Sequence, residues 1–247
     1  PYTTSDAALE RVRTLANELD IQIHMHVHES RDEIVGSLEQ YDVRPLERLN
    51  RLGMAGPQLM AVHMTQLTDE EIQLCAESGV HVIHCAESNL KLASGFTPVE
   101  KLREAGINIA LGTDGAASNN DLDMFGEMRT ASLIAKAIGG SAQALPALET
   151  LRAATLNGAR ALGIDRKTGS IERGKAADLV AVDLDHMATT PVYDPVSQLV
   201  YSAGRDQVTD VWVNGRQLLR EGSHTSLDIA AVRHQAGYWQ ARIAAAN

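Results

Sequence analysis

The chain has 247 residues, enough for one large domain or two modest ones, and is 44% apolar and 22% charged, which provides for a packed core and argues against disorder. Its 22 Lys and Arg against 32 Asp and Glu leave a formal charge of −10, so a phosphate backbone is repelled. Two cysteines, Cys75 and Cys85, are too few for a disulfide framework or a cysteine zinc site, and no apolar run nears the roughly 18 residues of a membrane helix.

Aromatic residues are only 4%, which disfavours base-stacking platforms. Residues 1–6 resemble no signal peptide, so the default expectation is a soluble cytoplasmic protein.

Residues 5–19 predict a helix: Leu9, Val12, Leu15, Ala16 and Leu19 keep helical spacing, and Ser5 or Asp6 caps the start. Residues 21–28 alternate as a strand does, and 59–64 form a second short apolar run. Thr68 with Glu71 is a capping-box signature opening a helix to about Ser78, and Gly79 suits the position just past its end. Residues 80–84 and 107–113 are further strand candidates, with a helix near 98–105 between them.

Strands alternating with helices predict a parallel α/β sheet. Each strand closes on reactive groups: His24, His26, His28 and Glu29, then His63, then His84, then Asp114. Barrels and doubly wound sheets both place their chemistry at that end. After residue 120 the character changes. Residues 121–138 and 145–162 read as helices, and from 169 onward strands and turns follow. Runs at 178–183, 208–213 and 216–219, the last two joined by Asn214-Gly215, predict a small antiparallel β unit. Residues 227–245 close as an Ala-rich helix. The expected domains are a partial barrel with its following helices at 1–168, the β unit at 169–222 and the C-terminal helix at 223–247. Four strand–helix units make half a barrel, and a full one takes about 250 residues. Either the sheet is open and small, or the sequence is the later part of a longer polypeptide.

His24, His26 and His28 alternate, so in a strand all three project from one face. Converging neutral imidazoles suit zinc or iron(II), whereas a lone histidine is more often packed or hydrogen-bonded. Neighbours on one strand are too far apart for all three to reach one ion, so one is expected to be the ligand. Glu29 stands where the strand ends, placed to move protons; alone it would read as a surface carboxylate. His63 closes the second strand at the same end. Asp114, flanked by Gly112 and Gly115, offers a hard oxygen for a metal or a proton, or else forms a turn. Residues 88–95 read as a polar loop. Cys85 beside His84 hints at a thiolate pair, but no resolving cysteine or second base accompanies it.

Together, the segment from His24 to Ser30, Val62-His63, the run from His84 to Gly95, and Gly112-Thr113-Asp114-Gly115 resemble the amidohydrolase superfamily. The nearest branch is the 5-methylthioadenosine/S-adenosylhomocysteine deaminases, in the group with chlorotriazine hydrolases and guanine deaminases. The segments 174–180 and 211–216 resemble that family's carboxy-terminal β unit, so the likeness covers essentially the whole chain. It implies an α/β fold: the later half of a metal-dependent hydrolase (β/α)8 TIM-type barrel plus a small C-terminal antiparallel β unit.

The resemblance implies one divalent metal, zinc with iron(II) as the alternative, bound by His26 and Asp114. Glu29 would shuttle protons between the attacking water and the purine ring. His63 would hold and polarise that water. Ser118 would contact the ribose or thioether side of the substrate, beside Glu29 and Asp114, and His84 matches a family position at a strand end without an assigned task. The family's His-x-His on the first barrel strand has no counterpart in this sequence, so two of about four protein ligands are supplied. The implied reaction is hydrolytic deamination of an adenine nucleoside thioether to the inosine analogue and ammonia. The implied partners are a small purine nucleoside and a second copy or a complementing N-terminal half, with no nucleic acid and no membrane. Guanine, cytosine or a triazine as substrate, and a half-barrel that only binds or assembles, stay open as alternatives.

Overall fold

A computed structural model describes residues 1–245. The first helix, α1 (Asp6–Leu19), is capped by Ser5, whose hydroxyl accepts from the Ala8 amide. It leads into β1 (Ile23–Val27). Then come α2 (Arg31–Tyr41), α3 (Pro45–Arg51) and β2 (Leu59–His63). Helix α4 (Asp69–Ser78) carries the expected capping box between Thr68 and Glu71 and ends on left-handed Gly79. After β3 (His81–His84) come α5 (Ala86–Lys91), α6 (Val99–Glu104) and β4 (Ile109–Leu111). Helices α7 (Met124–Gly139), α8 (Ala147–Ala153) and α9 (Leu156–Ala161) follow.

Strands β1, β2, β3 and β4 form one parallel sheet in chain order. In its register His24 pairs with Met60, His26 with Val62, and Ile83 with both Val62 and Ala110. One face packs on the helices through Ile23, Val27, Leu59, Ala61, Val82 and the helix residues Leu9, Leu46, Ile72 and Leu102. The other face carries His24 and His26, both exposed, with Val62 and Ile83 beside them. A parallel sheet ordinarily has both faces covered; here the helix-covered face carries the core and the other carries the histidines.

The second sheet is antiparallel, in the order β5 (Leu179–Val182), β6 (Val208–Val213), β7 (Arg216–Arg220), β8 (Ser223–His224). Asn214 and Gly215, both at positive φ, form the hairpin turn that their sequence predicts. Helix α10 (Pro195–Tyr201) lies between β5 and β6 and packs on α7 and α8. Arg129 donates to the Ala203 carbonyl at 2.7 Å, and the Ser132 and Tyr201 hydroxyls meet at 2.9 Å. The 169–222 segment thus returns a helix to the preceding unit. The last helix, α11 (Ile229–Ala244), has no buried residue and is exposed beyond its first, half-buried Ile229. Among the described residues no helix is long and apolar enough to cross a membrane.

Several elements differ from expectation. Residues 88–95, read as a polar loop, begin inside α5, which is too short for periodicity to register. The helix expected over 145–162 is two helices, broken where Thr155 leaves helical backbone (φ −132°, ψ −92°). Helices α2, of 11 residues, α3 and α10, of seven each, lie where the sequence predicts no helix; α10 is held by contacts with α7 and α8.

Candidate metal centre and active site

The strand ends converge. One donor atom each from His26, His63 and Asp114 lies within 4.8 Å of the others. His26 Nε2 is 3.8 Å from Asp114 Oδ1. The His63 ring stacks on His26, with centroids 5.2 Å apart and planes 16° from parallel. Strand pleating alone would turn His63 away, because Val62 already shares the His26 face. The last residue of β2 instead has φ of +75°, and its ring lies over the strand end.

Asp114 is also left-handed, at φ +61°, a conformation Asp tolerates better than most residues. The chain reaches it through Gly112, where an added Cβ would lie 3.2 Å from Ile83 Cγ2 and 3.5 Å from Cys85 Sγ. The glycine therefore serves close approach to β3. The Asp114 carboxylate is held on one side only. Ser88 and Ser118 both donate to Oδ2, at 2.7 and 2.5 Å. Burial alone would raise this carboxyl; the bonds from Ser118, Ser88 and the Gly115 amide outweigh it and hold it below its ordinary value. Oδ1 stays directed at His26.

Glu29 follows β1 and reaches the same point, with Oε2 3.8 Å from His63 Nε2. The Tyr2 hydroxyl donates to that oxygen at 2.8 Å. Burial first, and then this bond, pushes the Tyr2 phenol upward, so Tyr2 stays a donor. The Glu29 amide donates to Glu33 Oε2 at 2.7 Å, tying the turn to the start of α2.

Three expected residues lie elsewhere or do other work. His28 leaves the histidine face: its φ is +54°, its ring is buried, and its Nε2 accepts from the Leu46 amide at 3.0 Å. The expectation of three histidines on one face fails because the strand ends at Val27 and the chain turns. His84 alternates away from the cleft, which its neighbours Ile83 and Cys85 line. It faces a small cavity with Phe96, Ile134 and Ile138, and burial drives its imidazole down to about 4. Ser118, expected at the substrate, gives its hydroxyl to Asp114. Cys85 is no thiolate: burial first, then the nearby carboxylates Glu127 and Asp114, pushes its thiol upward.

The residues that sequence reasoning missed are Ser88 and Asn89, adjacent on α5, together with Thr97 and Tyr2. Asn89 Oδ1 lies 2.8 Å from His63 Nδ1 while Ser88 holds Asp114. One turn of helix therefore grips both sides of the cluster. Their signal was present in the run from His84 to Gly95, but only the fold shows what each touches.

The His26 imidazole nitrogen and the Asp114 carboxylate oxygen are donors of the kind zinc or iron(II) takes, with the His63 imidazole beside them. The structure fits such an ion: His63 Nε2 is buried with no hydrogen-bond partner among the described residues, and such an atom costs about 1–3 kcal/mol unless something at the centre satisfies it. The cleft beside it, of about 370 Å³, is lined by His24, His26, Val62, Ile83, Cys85 and Asp114.

Residues 1–218 match the model of the amidohydrolase family. The chain belongs to that family. A 5-methylthioadenosine/S-adenosylhomocysteine deaminase from Teredinibacter turnerae is 46% identical over 245 residues, 99% of this chain and 55% of that protein. A 5'-deoxyadenosine deaminase from Methanothermobacter thermautotrophicus is 46% identical over 222 residues, 90% of this chain and 52% of that protein. Among solved structures, an adenosine deaminase from Xanthomonas campestris with bound zinc superposes with a TM-score of 0.98 at 56% identity, covering 99% of this chain and 56% of that one. A zinc-complexed atrazine chlorohydrolase from Arthrobacter aurescens gives 0.90 at 28% identity, covering 95% and 52%. This amidohydrolase chain spans about half the length of the curated relatives it matches. The parallel sheet and the separate antiparallel sheet are the partial barrel and β unit that its sequence resemblance implies.

Proposed function

We propose that this chain carries the metal-holding and proton-transferring part of an aminohydrolase centre. The proposed reaction is hydrolytic deamination of an adenine nucleoside of the 5'-thioether type. The observation that carries the reading is the convergence of His26, His63, Asp114 and Glu29 on one point at the strand ends. The deaminase names of the relatives support the substrate class.

His26 Nε2 and Asp114 Oδ1 would hold one divalent ion, zinc in the first place, with the remaining ligands and much of the nucleoside pocket coming from the other half of the barrel. Such an ion supplies Lewis acidity, which makes water a nucleophile near neutral pH. His63 presents Nε2 to the attacking water and orients it. Glu29 takes the proton of that water and delivers it to ring nitrogen N1 of the purine as oxygen adds to C6. The ring then carries no buried anion. Asp114 takes the second proton of the water and passes it to the departing amine, the C6–N bond breaks, and ammonia leaves. Water is consumed, and the inosine analogue and ammonia are formed, so the atoms balance.

The test is ammonia release by the full-length protein from 5-methylthioadenosine, S-adenosylhomocysteine and 5'-deoxyadenosine, against guanine, cytosine and a triazine. Turnover confined to the adenine nucleosides supports the reading, and turnover only of the others replaces the substrate class. Glu29→Gln is expected to lower kcat by about 100-fold or more while metal content stays near that of the native protein. Equal rates for the two would remove Glu29 from the mechanism.

A further inference from the structure

His63 enters the centre through Nε2, so the state of its other nitrogen matters. Nδ1 lies 2.8 Å from Asn89 Oδ1. An amide can present either oxygen or nitrogen, and the next link decides which. The Thr97 hydroxyl donates its one proton to the His63 carbonyl at 2.6 Å. It is then free only to accept, and Asn89 Nδ2 donates to it at 3.2 Å. The amide nitrogen thus faces Thr97 and the amide oxygen faces His63. That oxygen has no proton to give, so Nδ1 carries the hydrogen and Nε2 keeps its lone pair.

The chain of bonds is buried, with Asn89 and Thr97 also lining the small cavity beside His84. His63 is 1% exposed, Asn89 2% and Thr97 5%. Bulk water therefore does not compete for these bonds, and reversing the amide would set Asn89 Nδ2 against His63 and its oxygen against the Thr97 lone pairs, leaving buried groups mismatched. The open end, Nε2, has no hydrogen-bond partner among the described residues, with Glu29 Oε2 at 3.8 Å and the His26 ring stacked on its imidazole.

We propose that Asn89, oriented by Thr97, is a positioning residue that holds His63 as its Nδ1–H tautomer with the Nε2 lone pair turned into the centre. The inference deepens the functional reading above and rests on it for the use made of that lone pair.

The test reads the tautomer directly. The full chain is labelled with nitrogen-15 at histidine and studied without added metal in mildly alkaline solution, where imidazoles are ordinarily neutral. Two-bond nitrogen–proton correlations report which ring nitrogen bears hydrogen, and the signal missing in His63→Ala assigns the residue. The wild-type ring is expected to show only the Nδ1–H pattern. Asn89→Ala and Thr97→Val should each lose that single pattern and populate Nε2–H. Asn89→Asp keeps an acceptor and Thr97→Ser keeps the hydroxyl, so both should retain it. An Nε2–H or mixed pattern in the wild type overturns the inference, whether or not the variants fold. So does an unchanged pattern in folded Asn89→Ala and Thr97→Val. The functional reading fails separately: if His63→Ala of the full-length protein keeps its ammonia release, the tautomer assignment stands and the catalytic role falls.

Discussion

Asp114 divides its oxygens between two tasks, with Ser88 and Ser118 taking Oδ2 while Oδ1 stays open toward His26. A ligand held by such outer contacts loses about 10–100-fold in metal affinity when they are removed. Ser118→Ala and Ser88→Ala of the full-length protein are each expected to weaken zinc by that factor, measured by chelator competition. If both variants hold zinc as the native protein does, the two hydroxyls do not orient the ligand. The same hydroxyls keep the carboxyl low against the opposing effect of burial. Either variant should therefore raise its titration, which carboxyl carbon NMR of the chain without added metal would follow. His28, by contrast, shows how a reactive residue type becomes structural. Burial drives its imidazole down to about 4, and Leu46 donates to its Nε2. His28→Ala is expected to destabilise the fold without reducing metal binding by whatever remains folded.

The elements with complete local instructions formed as predicted. Helix α4 has its capping box and its closing glycine within the run 68–79. Thr68→Ala removes an acceptor for the Glu71 amide and is expected to cost about 1 kcal/mol, seen as a lower melting temperature. An unchanged melting temperature would mean that α4 is held by packing alone. Helix α5 has no such signals. Cys85 precedes it without a side-chain cap bond, and its order comes from what it grips: Ser88 holds Asp114, Asn89 meets His63, and Lys91 donates to the Ala117 carbonyl at 2.8 Å. Gly95 ends this segment at φ +129°, where an added Cβ would lie 2.6 Å from Gln66 Nε2 and 3.1 Å from Thr65 Oγ1. Gly95→Ala is accordingly expected to destabilise by about 1–3 kcal/mol, measured by denaturant unfolding.

At the scale of the molecule, the pH response of the fold depends on carboxyls buried behind the centre. Glu127 on α7 is fully buried, accepts from Asn119 at 2.8 Å, and is raised from 4.5 to about 7, chiefly by burial. The folded state therefore keeps a proton that the unfolded chain releases. Its contribution to stability is fully present below about 4.5 and is lost as pH rises through about 7. Glu33, raised to about 7 for the same first reason, has the same sign. Glu127→Gln should flatten part of this fall, on the order of a few kcal/mol at most. Denaturant melts across that range check it, and parallel profiles for the two proteins would exclude Glu127. Asn119 lies one residue from Ser118 and also meets Glu87, so the same contacts anchor the loop that carries Asp114.

The sequence by itself determined the alternation of strands and helices, the end of the sheet where chemistry collects, and the candidacy of His26, Glu29, His63 and Asp114. Those follow from periodicity, caps and residue chemistry, which are local and so can be read along the chain. Only the tertiary structure decided that His28 and His84 leave the cleft, that Ser118 supports Asp114, and that Ser88 and Asn89 hold the two sides of the cluster. The physical reason is backbone geometry at strand ends. A single left-handed residue there, such as His28, His63 or Asp114, redirects a side chain regardless of strand parity. Partners that then satisfy it can lie far along the chain, as Ser88 does from Asp114 and Asn89 from His63, 26 residues in each case, and Leu46 from His28, 18 residues.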